Sequence, residues 1–179
     1  LAYYFGNEVV VADLGIDTDR KIPGVLDRKI RRSTGNIAKE RAMTRQQVLD
    51  AMAVGLDLAA DAAKDDVNAV GVGEMGIGNT TTSSAVLSAL TGATPESVTG
   101  RGGGLTNQAF AVKKQVITQA LALHHPDRED VVDVLSAVGG LDLAAMTGVF
   151  LGCALQHIPA VVDGFISIVA ALCACRLNP

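Results

Sequence analysis

Gly73-Glu74-Met75-Gly76-Ile77-Gly78-Asn79-Thr80-Thr81-Thr82 is the stretch on which the fold turns. The apolar run before it, 67–73, reads as a buried strand. The residues after it, 81–90, read as a helix closed by Gly92. Strand, glycine turn and helix in that order place a helix start at the end of a strand. Glycines let the backbone come close to an anion, and the helix start supplies free N–H groups and a positive dipole end. Asn79 and the threonines add side-chain donors. The segment is built as a phosphate cradle; the plainer alternative is a tight strand-to-helix turn.

The same alternation extends outward. Upstream, Glu8-Val9-Val10-Val11-Ala12-Asp13 reads as a buried parallel strand, followed by a long charged loop over 16–43. Thr44 with Gln47 forms a capping-box pattern, and Val48, Ala51, Met52, Leu56 and Ala59 follow at helical spacing to about Lys64. Downstream, 96–104 is a loop, Thr106 or Asn107 caps a helix to about His124, and Pro126 stops it. Helices follow over 130–137 and 141–155, then a strand over 158–162, then Asp163-Gly164 turning into a last helix. Strands alternating with helices across glycine turns predict an α/β domain, a parallel sheet with helices on both faces. Ligands in such folds sit at the carboxyl ends of strands, here 13–19, 73–79 and 163–164.

Composition narrows the function. The chain has 179 residues, 49% of them hydrophobic, which excludes disorder. Aromatics make up 3% with no Trp, which argues against carbohydrate binding and single-strand stacking. A ligand site must therefore use backbone amides, glycines and polar side chains. A net charge of −4 gives no general pull toward nucleic acid. The cations Arg20, Lys21, Arg28, Lys29, Arg31, Arg32, Lys39, Arg41 and Arg45 crowd one stretch, either as a solvated loop or facing an anion. Cys153, Cys173 and Cys175 sit among apolar residues and read as buried reduced thiols, which implies a reducing, cytoplasmic setting. The apolar stretch 165–175 is short of the roughly 20 residues that span a bilayer, so it reads as a buried helix. Leu1 in place of a starting Met, and Pro179 directly after a helix, read as cuts within a longer protein.

Other segments carry weaker signals. Glu74 beside a phosphate cradle suits a sugar or a developing cation, such as oxocarbenium character at C1 of a ribose; the alternative is a cap on local amides. Gly100-Arg101-Gly102-Gly103-Gly104, with Lys113 behind it, completes a cationic pocket or forms an exposed loop. Gly71, Gly73 and Gly76 match a dinucleotide fingerprint, which keeps a dinucleotide-dependent oxidoreductase as an alternative, but no acidic residue ends a following strand. No lysine follows the glycines as a Walker A loop requires. Asp13-Leu14-Gly15 has the look of an actin-like phosphate motif, and Asp13, Asp17 and Asp19 of a divalent-ion site without a calcium loop's Gly and Glu. His124-His125 at a helix end and His157 before a strand read as structural residues, a helix-terminal His meeting the dipole, rather than as metal ligands.

The Glu-Met-Gly loop at 73–81 closely resembles nicotinate-nucleotide–dimethylbenzimidazole phosphoribosyltransferases, pentosyltransferases that activate the lower ligand of cobalamin. Thr34-Gly35-Asn36, Ala42-Met43-Thr44, Gly100-Arg101-Gly102-Gly103-Gly104 (where Gly103 replaces Thr), Lys113, Val138-Gly139-Gly140 and Val162-Asp163-Gly164-Phe165 are similar in register, covering nearly the whole chain. The resemblance implies a Rossmann-like three-layer parallel sheet with helices on both faces, a homodimer, and no metal or cofactor. It implies transfer of phosphoribose from nicotinate mononucleotide to 5,6-dimethylbenzimidazole. Gly76, Ile77, Gly78, Asn79, Thr80, Gly102, Gly103 and Lys113 would hold the phosphate and ribose, and Glu74 would sit by the reacting bases. The family's general-base glutamate and part of its benzimidazole pocket would lie outside residues 1–179, making this the central portion of one domain. The chain alone would then turn over negligibly, or act as a non-catalytic nucleotide-binding fragment.

Overall fold

The computed structural model describes residues 2–179. In chain order the elements are α1 (Ala2–Phe5), β1 (Ala12–Asp13), β2 (Leu26–Asp27), α2 (Arg45–Lys64), β3 (Val70–Val72), α3 (Asn79–Thr91), α4 (Pro95–Val98), α5 (Asn107–His124), α6 (Val131–Val138), α7 (Leu141–Leu155), β4 (Ala160–Val162) and α8 (Gly164–Leu177). The α/β class and the parallel pairing hold. Among the described residues that pairing lies in two separate two-stranded sheets, β1 with β2 and β3 with β4. Val72 pairs with Val162, so both strands end beside the turns that open α3 and α8.

The helix starts follow from their caps. Thr44 Oγ1 accepts the Gln47 N–H while the Gln47 side chain accepts the Thr44 N–H, closing the capping box at α2. Thr106 Oγ1 caps α5 through Ala109 N–H at 3.2 Å, and Asp130 Oδ1 caps α6 through Asp133 N–H at 3.0 Å. Several elements depart from the sequence reading, α1 among them. The 95–98 turn is helical, with Pro95 in the first turn where its missing N–H costs nothing. The 16–43 segment is not a bare loop: it carries β2, and Arg28, Ile30 and Ser33 donate N–H groups to the carbonyls of Asp13, Leu14 and Gly15.

The strand expected over 8–13 is hydrogen-bonded as a strand only at its end, and Val9, Val10 and Val11 are exposed rather than buried. A parallel strand is buried when both faces are covered, and no described residue covers these. Val161 and Val162 on β4 are exposed in the same way.

The core lies between the helices. α6 is buried at every position but Asp133, and Val48, Leu90, Ile117, Leu135, Leu143 and Val169 are fully enclosed. α2 and α7 pack backbone to backbone through small residues. A Cβ at Gly55 would lie 2.6 Å from Val149 N and 2.8 Å from Gly148 C; one at Gly148 would lie 2.8 Å from the Met52 carbonyl carbon. Gly152 is crowded by Ala59 and Leu56 in the same seam. No described helix is long and apolar enough to cross a membrane. Of the cysteines, Cys153 and Cys173 are buried, and burial pushes the Cys173 thiol up to about 12. Cys175 is exposed, against expectation, because residues two apart on a helix point to nearly opposite sides.

Substituting Gly148→Ala should destabilise the protein by about 1–3 kcal/mol despite the higher helix propensity of Ala, because a backbone cannot yield as a side chain can. Urea denaturation checks this; an unchanged midpoint would show that the two helices can separate freely.

Candidate active site

β3 delivers the chain at Gly73, and α3 begins at Asn79. Gly78 is the N-cap in the left-handed conformation, φ 81°, and brings no side chain to cap the helix. The first-turn N–H groups of α3 are therefore left without a side-chain cap, with the positive end of the helix dipole behind them. Gly76 lies so close to Asn79 that a Cβ there would stand 2.8 Å from Nδ2. Met75 and Ile77 between the glycines are fully exposed, at 101% and 106%.

The Asn79 amide Nδ2 donates to the Glu74 carboxylate and also to Asp142 Oδ2, at 3.1 Å for the latter. Asp142 stands in the first turn of α7 and accepts Leu143 N–H at 2.9 Å through its other oxygen. Glu74 is thus held by a side-chain amide anchored on a second helix, not by the backbone cap offered as its alternative. The hydrogen bonds of the site leave one side of the carboxylate to solvent, where it can face a ligand.

Lys113 on α5 is only 6% exposed. Its Nζ donates to Thr80 Oγ1 at 2.8 Å and to the Gly100 carbonyl at 2.9 Å. No carboxylate pairs with it among the described residues. Burial holds its pKa below the usual lysine range. A buried ammonium with neutral partners has positive charge to spare, and a bound anion would compensate it. Gly102, φ 58°, packs on this group: a Cβ there would lie 2.9 Å from Thr80 Oγ1 and 3.6 Å from Lys113 Nζ. Thr80, Thr99, Gly100, Gly102 and Phe165 line a cavity of about 360 Å³ beside it. Gly103 is open backbone with no neighbour near its Cβ position.

The structure therefore brings together Glu74, Gly76, Asn79, Thr80, Gly102 and Lys113, with Ile77 and Gly78 on the connecting loop. Arg101 does not join them. Its guanidinium bonds the Leu105 carbonyl at 2.9 Å and Asn107 Oδ1 at 2.6 Å, and stacks over Phe110. Four of the nine cations of the early basic stretch are paired with carboxylates. Lys29 pairs with Asp13 at 2.6 Å, Arg32 with Asp19, Arg41 with Asp133, and Arg45 with Asp130 at 2.7 Å. Burial works against the Asp13 carboxylate, but Lys29 and the N–H groups of Ile16 and Gly15 outweigh it and hold its pKa low. With both oxygens so occupied, Asp13 anchors its own turn. No cluster of metal-binding side chains occurs among the described residues. His124 Nε2 contacts the Ile37 carbonyl at 2.8 Å, a loop tie.

Sequence spacing did not point to Asp142, 63 residues from Asn79. The available signal for Asp142 was an acid directly after Gly139-Gly140, which is equally a dipole complement at a helix start.

The site of this α/β protein sets a buried cation beside an uncapped helix start, an arrangement suited to an anion. The whole chain, residues 1–179, matches the family model described as Phosphoribosyltransferase, and the chain belongs to that family. It is 48% identical over 174 residues to the nicotinate-nucleotide–dimethylbenzimidazole phosphoribosyltransferase of Clostridium acetobutylicum, covering 97% of this chain and 49% of that one. It is 49% identical over 180 residues to the enzyme of the same name from Geobacter metallireducens, covering 100% and 51%. The crystal structure of CobT from Thermus thermophilus superposes with a TM-score of 0.93 at 36% identity, over 99% of this chain and 54% of that one. The chain thus spans about half the length of the curated relatives it matches. The glycines at 71, 73 and 76 accordingly belong to the strand and loop of a phosphoribosyltransferase, not to an oxidoreductase fingerprint.

Asn79→Ala should release the Glu74 loop while α3 persists. Amide hydrogen exchange over 73–78 should speed up about 10-fold, the equivalent of one lost hydrogen bond to a charged group, ~1.5 kcal/mol. Equal exchange in both proteins would mean that the amide clamp does not hold the loop.

Proposed function

We propose that this chain carries the phosphoribose-binding part of an enzyme that transfers phosphoribose from nicotinate mononucleotide to 5,6-dimethylbenzimidazole, giving α-ribazole 5'-phosphate and nicotinate. The observation that carries the reading is Lys113, a buried cation with no carboxylate partner among the described residues, beside the uncapped start of α3. The family membership and the names of the relatives support it.

In this reading the N–H groups around Gly76, Ile77, Gly78, Asn79 and Thr80, with Gly102, Gly103 and Lys113, hold the 5'-phosphate. Glu74, steadied by Asn79, faces the ribose, where its negative charge favours the positive charge that grows at C1 as the bond to nicotinate breaks. The nicotinate leaves as a neutral ring from a pyridinium, so its departure needs no general acid. The benzimidazole nitrogen attacks C1 from the opposite face, inverting it, and its proton passes to a carboxylate base outside residues 1–179.

In the longer protein this segment would be the central portion of one Rossmann-like three-layer domain, working as a cytoplasmic homodimer. The exposed Val9, Val10, Val11, Val161 and Val162 support further sheet or helix covering these strands there.

With the full-length protein, Lys113→Ala should raise KM for nicotinate mononucleotide about 30- to 100-fold, as expected for a lost charge-assisted contact of ~2–3 kcal/mol. Glu74→Gln should lower kcat about 100-fold with a smaller change in KM. Chromatographic assay of α-ribazole 5'-phosphate reads both, and a wild-type protein that forms none from the two substrates would falsify the reading.

A further inference from the structure

Glu74 stands on a loop that packing does not hold, since Met75 and Ile77 beside it are fully exposed. Among the described residues its carboxylate has one partner, Asn79 Nδ2, and no cation pairs with it. The position of Glu74 therefore depends on how Asn79 is held. The Asn79 amide nitrogen carries two hydrogens, and both go to carboxylates, one to Glu74 Oε2 and one to Asp142 Oδ2 at 3.1 Å. Turned over, the amide would set its Oδ1 against two negative charges. Asp142 thus makes Asn79 offer Glu74 a donor and not an acceptor.

Asp142 is itself fixed from several sides. Its Oδ1 accepts the Leu143 N–H at 2.9 Å in the first turn of α7, where the helix dipole favours a negative charge. A Cβ at Gly140 would collide with that oxygen, and one at Gly76 would lie 3.5 Å from Oδ2. Glycines before α7 and in the cradle loop leave the space that this carboxylate occupies. The partners of Lys113, Thr80 Oγ1 and the Gly100 carbonyl, are not part of this chain of hydrogen bonds. Holding an anion and holding Glu74 are therefore separate tasks of the site.

We propose that Asp142 is a positioning residue for the transfer. It acts through Asn79 to keep the Glu74 carboxylate where positive charge develops on the ribose, and it takes no part in holding the phosphate. The assignment rests on the reading of this site as one of phosphoribosyl transfer.

Steady-state kinetics of the full-length protein with nicotinate mononucleotide and 5,6-dimethylbenzimidazole tests it, together with calorimetric titration of inorganic phosphate. Asp142→Ala should lower kcat about 10-fold, with KM for the mononucleotide and the affinity for phosphate within about twofold of wild type. Asp142→Asn keeps an acceptor for Asn79 or for Leu143 but not for both, and its kcat should fall between those of wild type and Asp142→Ala. In a Glu74→Gln background Asp142→Ala should lower kcat by less than about twofold, because the carboxylate it positions is gone. Amide exchange over 73–78 should quicken about 5-fold in Asp142→Ala. An unchanged kcat in both variants, a loss that persists in full beside Glu74→Gln, or a loss carried by KM and phosphate affinity would each overturn the proposal. Wild-type protein that forms no α-ribazole 5'-phosphate, with exchange over 73–78 still faster in Asp142→Ala, would instead overturn the proposed reaction and leave the hold of Asp142 on the loop standing.

Discussion

The backbone contact between α2 and α7 is the constraint from which the rest of the arrangement follows. Gly55 and Gly148 face each other with no room for a Cβ, so the helices meet closer than side chains would allow. That fixes α7 along its length. Its first turn then presents Asp142 to Asn79, and its far end leads into β4, which pairs with β3. Because β3 ends where the Glu74 loop begins, one helix sets both the strand that delivers the loop and the carboxylate that steadies it.

Charge is distributed unequally over this scaffold. The cations of 29–45 largely meet carboxylates, and their pairs strap the early segment to β1 and α6. Such partly exposed pairs add little stability each, but they specify where the segment lies. Lys113 is different in kind. Its ammonium is buried against a hydroxyl and a carbonyl, which costs stability in the free protein and becomes favourable when an anion arrives.

Glycine does two separate jobs in the site. At Gly78 it allows a left-handed N-cap that leaves the helix start uncapped. At Gly102 it combines a left-handed backbone with a close approach to Thr80 that a methyl group would block. Both loops can therefore bring main chain to a ligand, as a chain poor in aromatics requires.

Local signals in the sequence were enough for the longer helices, several of which are bounded by their own chemistry: Thr44 with Gln47, Thr106, Asp130, Gly92. The strand-turn-helix at 73–82 and its resemblance to a phosphoribosyltransferase loop were also readable, since the glycines and threonines that make the cradle are contiguous. Pairings between distant residues were not. Arg101 reads as a pocket cation in the sequence, but Leu105, Asn107 and Phe110 claim it; Val9 to Val11 read as buried, but their faces are uncovered. Asp142 reaching Asn79 and the separation of Lys113 from carboxylates among the described residues depend on which helices lie side by side. Sequence specifies local hydrogen bonding directly, but long-range neighbours come from packing, and only the tertiary structure could decide which polar groups are satisfied and which are left for a ligand.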